Sequence, residues 1–181
     1  VDAPPEGVDL SEARCMEGVR LFFINDFEGA ERLFADGSGV DPVFSIAHSF
    51  LSFLRAAMTW SSDDMAIAQA RLAKTLKVAS CAAKEEGALR SWTRKLTFRR
   101  GPTLNGANVS ARIVMAEARL LSAVLMLLEE SYTSDIRAGL SIRRAWKGYQ
   151  ECYDVVNKKK TVEVSSSDEG GISFGLGVFG W

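Results

Sequence analysis

From Asp9 onward, apolar positions recur every three or four residues, the spacing that lines one face of an α-helix. Asp9 followed by Glu12 has capping-box spacing, with Asp in place of the usual Ser or Thr. Cys15, Val19, Phe22 and Phe23 follow at helical intervals. Asn25-Asp26 interrupts the pattern and caps a second short helix bearing Phe27, Ala30, Glu31 and Phe34, which Gly37, Ser38 and Gly39 end. The pair predicts an αα-hairpin with a very tight turn. Asp41-Pro42 is a restart, with Asp as N-cap and Pro at the first helical position, where no N–H is needed. The third helix spreads Val43, Ile46, Ala47, Phe50, Leu51, Phe53, Leu54 and Ala57 over more than one stripe, which predicts neighbours on several sides.

Ser61-Ser62-Asp63-Asp64 stops that helix and starts the next, with acidic groups at the positive end of the helix dipole. The fourth helix has a clean stripe at Met65, Ala68, Leu72, Leu76, Ala79 and Ala83, and its pattern extends past Gly87 to about Arg99. Gly101-Pro102 and Asn105-Gly106 mark a firm break. The fifth helix is apolar on two faces: Ile113, Ala116, Leu120, Ala123 and Leu127 on one, Val114, Leu121, Leu125 and Leu128 on the other. Ser131 to Ser134 reads as a turn, and a sixth helix runs from about Asp135 to Asn157 with Ile136, Leu140, Ala145, Tyr149, Cys152 and Val156. The expected organisation is a disordered lead at 1–8, a helical-hairpin domain at 9–157, a charged linker at 158–169, and the start of a further, truncated helix at 170–181. That last stretch is apolar and glycine-rich, and should dock either on this core or on an absent remainder.

Composition supports this all-α reading. With 47% hydrophobic and 25% charged residues the chain is an ordinary globular protein rather than a disordered one. A net charge of −1 supplies no whole-molecule field to recruit nucleic acid or anionic membrane. Cys15, Cys81 and Cys152 are odd in number, widely spaced and without a CxxC pair, so they read as small buried hydrophobes in a reducing, intracellular compartment. Val1 to Glu6 has no basic or apolar leader character, and lacks an initiator Met, so the chain reads as an excised fragment. The longest apolar run, Leu120 to Leu128, falls far short of the ~20 residues a bilayer requires.

The spacing within the first hairpin is informative. Gly18 lies nine residues before Phe27, Ala30 follows after three, Phe34 after four more, and Pro42 after eight. This resembles the tetratricopeptide repeat, and implies antiparallel hairpins stacked as a right-handed array. In that arrangement Gly18 and Ala30 allow close helix approach, Phe27 and Phe34 fill the flanking space, and Pro42 opens the next unit. Arg14 and Glu17 depart from the pattern, standing where large apolar residues are usual. A second unit is weaker, with Leu51, Ala56, Ala68 and Leu72 in register, and the third keeps only Ile136 and Gly139. A generic helical bundle with coincidental spacing is the alternative.

Longer matches point further. Glu17 to Ala30, Phe53 to Trp60, Ala116 to Leu121 and, most specifically, Gly139 to Arg144 and Gly170 to Phe179 are similar to the tetratricopeptide repeat protein 39 family. That family includes the fungal inclusion-body clearance proteins of the outer mitochondrial membrane. The resemblance implies the N-terminal part of a larger helical-repeat adaptor, cytoplasmic and peripheral to mitochondria or lipid droplets, with a role in protein quality control or lipid-droplet biology.

Candidate chemistry is sparse. His48, the only histidine, sits mid-helix with no second histidine to share a metal, and reads as a satisfied structural residue. Asp63-Asp64, Glu85-Glu86 and Glu129-Glu130 read as solvated or dipole-complementing pairs, and the terminal glycines lack the Lys-Ser/Thr of a P-loop. No catalytic residue, cofactor or metal is expected. The candidate partner-facing residues are cations: Arg90, Arg94 and Arg99 around Trp92, and Arg143, Arg144 and Lys147 beside Trp146, where cation–π shielding is expected. Ser165 and Ser166 each have an acidic residue three positions on, which suits acidophilic kinases. Expected partners are other proteins, with self-association through the truncated end as a further expectation. The competing class is a peripheral lipid-associated module that uses the glycine-rich segment and the basic cluster.

Overall fold

The computed structural model describes residues 10–96, 106–129 and 132–158. They form six helices and, among the described residues, no strand: α1 (Leu10–Phe23), α2 (Phe27–Gly37), α3 (Pro42–Thr59), α4 (Ser62–Leu96), α5 (Gly106–Leu128) and α6 (Tyr132–Lys158). Each helix packs against the next, and α3 also touches α5. The result is an all-α array of antiparallel hairpins.

Local chemistry fixes the helix ends. Asn25 takes a left-handed φ of 65°. Its N–H donates to the Phe22 carbonyl at 3.0 Å and the Asp26 N–H to the Leu21 carbonyl at 2.9 Å, the bond pair that closes a helix C-terminus. Asp26 at once opens α2, its carboxylate accepting from the Gly29 N–H at 2.9 Å. The turn is therefore tight because Asp26 serves both helices. Asp41 accepts from the Val43 N–H at 2.7 Å, and Pro42 begins α3. Trp60 ends α3 in the left-handed region, and its N–H donates to the Ala56 carbonyl.

Three clusters make up the core. Ala30, Phe34 and Phe44 join the first hairpin to α3. Ala56, Met65, Ala68, Leu72, Ala118 and Leu125 bind α3, α4 and α5. Val109, Ile113, Ala116, Tyr149 and Cys152 hold α5 to α6. Small residues set the close approaches, since a Cβ at Gly18 would meet the Phe34 ring and one at Gly148 would lie 3.2 Å from Ala116 Cβ.

Several faces differ from the sequence expectation. Phe27 does not fill the hairpin interior but is 52% exposed, edge-on to Phe22. Val19 and Phe23 are exposed because α1 packs on α2 and no described element covers its other side. Ile136, at 68% exposure, and Leu140 point away from α5, and Gly139 meets no neighbour, so the third hairpin is closed by Gly148 against Ala116 instead. The α6 helix starts at Tyr132, three residues early, with Ser134 tied across the turn to Glu129 at 3.0 Å. Cys81 is exposed, not buried. The most buried face of α3 carries Ser45, Ser49 and Ser52 beside Phe44 and Ala56. Ser45 and Ser49 bond the fully buried Thr75 hydroxyl of α4, at 2.9 and 2.8 Å, and that hydroxyl donates to the Ser45 carbonyl at 3.0 Å. Further along, Gln69 and Ser122 exchange two hydrogen bonds that tie α4 to α5.

Candidate partner-binding groove

The α2 and α4 helices lean over α3 without packing against each other, and the gap between them is a groove of about 540 Å³. Leu51, Leu54 and Met58 of α3 form its base, one helical face at i, i+3 and i+7. Phe27 of α2 and Ile67 of α4 line its sides. Met58 is 86% exposed and Ile67 50%, so large apolar groups meet solvent together. A contiguous apolar patch of this kind marks a binding surface more often than a stable bare one.

Four of the groove's five charged residues pair among themselves, and the fifth, Glu28, meets Arg32 outside it at 3.6 Å. Arg71 of α4 donates to Glu31 of α2 at 2.8 Å and to the Ser52 hydroxyl of α3 at 2.6 Å. Arg55 meets Asp64 at 3.2 Å, and the Thr59 hydroxyl donates to the same carboxylate at 2.7 Å. The Arg71 hydrogen bond holds the Glu31 carboxyl below its ordinary value. His48 Nε2 lies 3.8 Å from Glu31, and burial, then Arg71, keeps its imidazole below the usual histidine range. One guanidinium thus ties three helices at the groove's end, and the carboxylates there serve structure.

A second, smaller groove of about 290 Å³ lies between α3 and α5, where Val43, Ile46 and Phe50 face Leu120 and Leu121. Tyr149 of α6 also lines it, and burial, reinforced by Glu117, pushes the phenol well above its ordinary value, so it stays neutral.

The structure separates the residues singled out in the sequence. Gly18, Ala30 and Phe34 lie in the first hairpin's interior, Pro42 begins α3, and Phe27 lines the larger groove. Arg143, Arg144 and Lys147 are exposed on α6 and line neither groove. Lys147 approaches Glu151 at 4.0 Å, and among the described residues the cation–π contact is Arg14 over Phe44, not one at Trp146. Arg14, out of pattern for the repeat, therefore still covers a core ring. Arg90 and Arg94 fall within α4, their side chains outside the described ones. Arg99, Ser165, Ser166, the lead at 1–8, the linker from 159 onward and the segment 170–181 lie outside the described residues. None of the candidate partner-facing cations lines the larger groove, although the Leu51–Leu54–Met58 face exceeds what one seam needs. Among the described residues no cluster of His, Cys, Asp and Glu could hold a metal ion, and no helix is long and apolar enough to cross a membrane.

Stacked antiparallel hairpins with small residues at their contacts define a helical-repeat protein of the tetratricopeptide type. A sequence model of the Iml2/Tetratricopeptide repeat protein 39 family matches residues 16–180, and the chain belongs to that family. Tetratricopeptide repeat protein ttc-39B of Caenorhabditis elegans is 26% identical over 170 residues, covering 89% of this chain and 28% of that protein. The chain thus spans less than a third of that relative's length. No solved structure matches.

Proposed function

We propose that this chain is a non-catalytic interaction scaffold that holds an apolar partner segment in the groove between α2 and α4. The observation that carries this is the joint exposure of Met58, Ile67 and Phe27 around one concave surface. An amphipathic helix presenting a stripe of large apolar side chains has the matching chemistry. Catalysis is no part of this reading, because His48, Glu31 and Asp64 are engaged in clamping helices together. Family resemblance supports a cytoplasmic setting peripheral to mitochondria or lipid droplets, in protein quality control or lipid-droplet biology.

Selection from a displayed peptide library against the purified chain tests the groove. Selected peptides should lose affinity about tenfold or more for Met58→Asp or Ile67→Asp, as for contacts at the centre of an interface. Arg143→Glu with Arg144→Glu should leave affinity unchanged. Loss of binding in the α6 variant but not in the groove variants would move the partner site to the cations. Flotation with vesicles separates the lipid-associated alternative, since the scaffold reading places the chain in the soluble fraction.

A further inference from the structure

The seam between α5 and α6 carries an opposite-charge pair and, two turns along, a like-charge pair. Arg112 of α5 reaches Glu151 of α6 at 3.5 Å, and Gly148 lets α6 approach Ala116 closely. Arg119 lies seven residues after Arg112, and Arg144 seven before Glu151. Seven residues return a helix to nearly the same face. The two helices run antiparallel, so Arg119 and Arg144 face each other across the seam as Arg112 and Glu151 do.

That placement is unfavourable as it stands. Arg119 is partly buried, and burial, then the charge of Arg144, lowers its pKa against the weaker pull of Glu151. A guanidinium keeps its proton even so. Glu151 is already shared by Arg112 and by Lys147, the latter at 4.0 Å. Glu117, two residues before Arg119, is on the far side of α5, where it lines the smaller groove with Tyr149. Among the described residues neither Arg119 nor Arg144 makes an ion pair or a side-chain hydrogen bond. A partly buried charge without a counter-charge destabilises a fold, and an anion from outside relieves it.

Two guanidinium charges match two negative charges on one group. A phosphate monoester carries roughly −1.5 to −2 at pH 7, and its oxygens accept from both planar forks. A carboxylate neutralises only one of the pair. A half-buried arginine between two helices is reached by a single side chain rather than by the plane of a bilayer. The chain's net charge of −1 supplies no field to hold it on an anionic membrane.

We propose that Arg119 and Arg144 form a binding site for a phosphorylated serine or threonine of a partner protein. Lys147, exposed one turn beyond Arg144, adds a third cation at its rim. Neither arginine lines a groove, so the site does not depend on what the larger groove holds.

Fluorescence anisotropy of the 181-residue chain with a degenerate peptide pool centred on phosphoserine tests the proposal. The same pool centred on serine or on glutamate is the comparison, and the phosphorylated pool should bind about tenfold tighter than either. Arg119→Met and Arg144→Met should each lose about tenfold. Arg20→Gln, on α1, and Met58→Asp, in the larger groove, should leave phosphopeptide affinity unchanged. Equal binding of the three pools, or full affinity in Arg119→Met, would overturn the site and leave the groove reading intact. Flotation with phosphatidic acid vesicles but no preference for the phosphorylated pool would also overturn it, by giving the cations to a membrane. Thermal unfolding gives an independent reading. Without peptide, Arg119→Met should melt no lower than the unsubstituted chain, since it keeps the aliphatic stem and removes a charge that lacks a counter-charge. A lower Tm would reveal a partner for Arg119 within the chain and count against the proposal.

Discussion

Gly18 and Phe34 fit as a surface and its cover: a Cβ built on Gly18 would come 2.5 Å from Cε1 and Cζ of the Phe34 ring. The flat ring occupies the space that any other residue at position 18 would need. The contact joins α1 to α2 and adjoins Phe44, whose ring meets that of Phe34 edge-on at 6.1 Å. It is the seam through which the first hairpin is held to the rest.

Gly18→Ala should therefore destabilise the chain by about 1–3 kcal/mol, more than the ~0.5–1 kcal/mol that helix propensity returns. Adding Phe34→Leu should make the Gly18→Ala loss smaller, because the rigid ring no longer blocks the methyl. Gly139→Ala is the control: nothing lies within 4 Å of its Cβ position, so it should stabilise α6 by about 0.5–1 kcal/mol. Urea unfolding of these variants measures the effects. Equal losses at positions 18 and 139 would remove the close-approach argument.

Thr75→Val should cost about 1–3 kcal/mol despite its near-identical shape. The Thr75 hydroxyl donates to the Ser45 carbonyl, which leaves its lone pairs for the hydroxyls of Ser45 and Ser49. Valine strands both serines in a buried seam. The triple variant Ser45→Ala, Ser49→Ala, Thr75→Val should return to within about 1 kcal/mol of the starting stability, since no polar group is then orphaned. Thermal unfolding that ranks the triple variant below Thr75→Val would contradict the pairing.

The Arg71–Glu31 pair is part-exposed, so its coupling should be modest. A double-mutant cycle with Arg71→Met and Glu31→Gln should give about 0.5–1 kcal/mol. Peptide binding should also weaken in Arg71→Met, because α2 and α4 lose their shared clamp at the groove. A coupling indistinguishable from zero, with binding unchanged, would show that the helices hold their spacing without it.

Acid should weaken the fold in two steps. Burial, then Arg71, holds the His48 pKa below its ordinary 6.5, against the opposing pull of Glu31, and Lys74 adds to the lowering. The unfolded chain thus binds more protons near that pH than the folded one. The stability His48 contributes is fully present above pH 6.5 and is lost as pH falls below it. The contribution of Glu31, whose pKa Arg71 depresses, is lost at lower pH still, below the ordinary 4.5. His48→Gln should flatten the stability profile just below the ordinary histidine value of 6.5 and leave the more acidic step in place. An unchanged slope in that window would place the titration elsewhere.

The sequence alone determined where α2, α3 and α4 begin, though not where α6 does. Asp26, Asp41-Pro42 and the Ser61–Asp64 cluster act on backbone groups two or three residues away, so their effect is readable without knowing the fold. The fourth helix's buried stripe was equally plain, with Met65, Ala68, Leu72 and Ala79 all inside. Tertiary structure decided which face of each helix found a neighbour. Ser45 is buried because Thr75 arrives thirty residues later, while Phe27, Val43, Phe50 and Ile136 stay open because no described element covers them. A helix's period shows that it has an apolar face, but the partner for that face is supplied by distant chain. Both grooves are made of such uncovered faces, and so they came into view only with the packing.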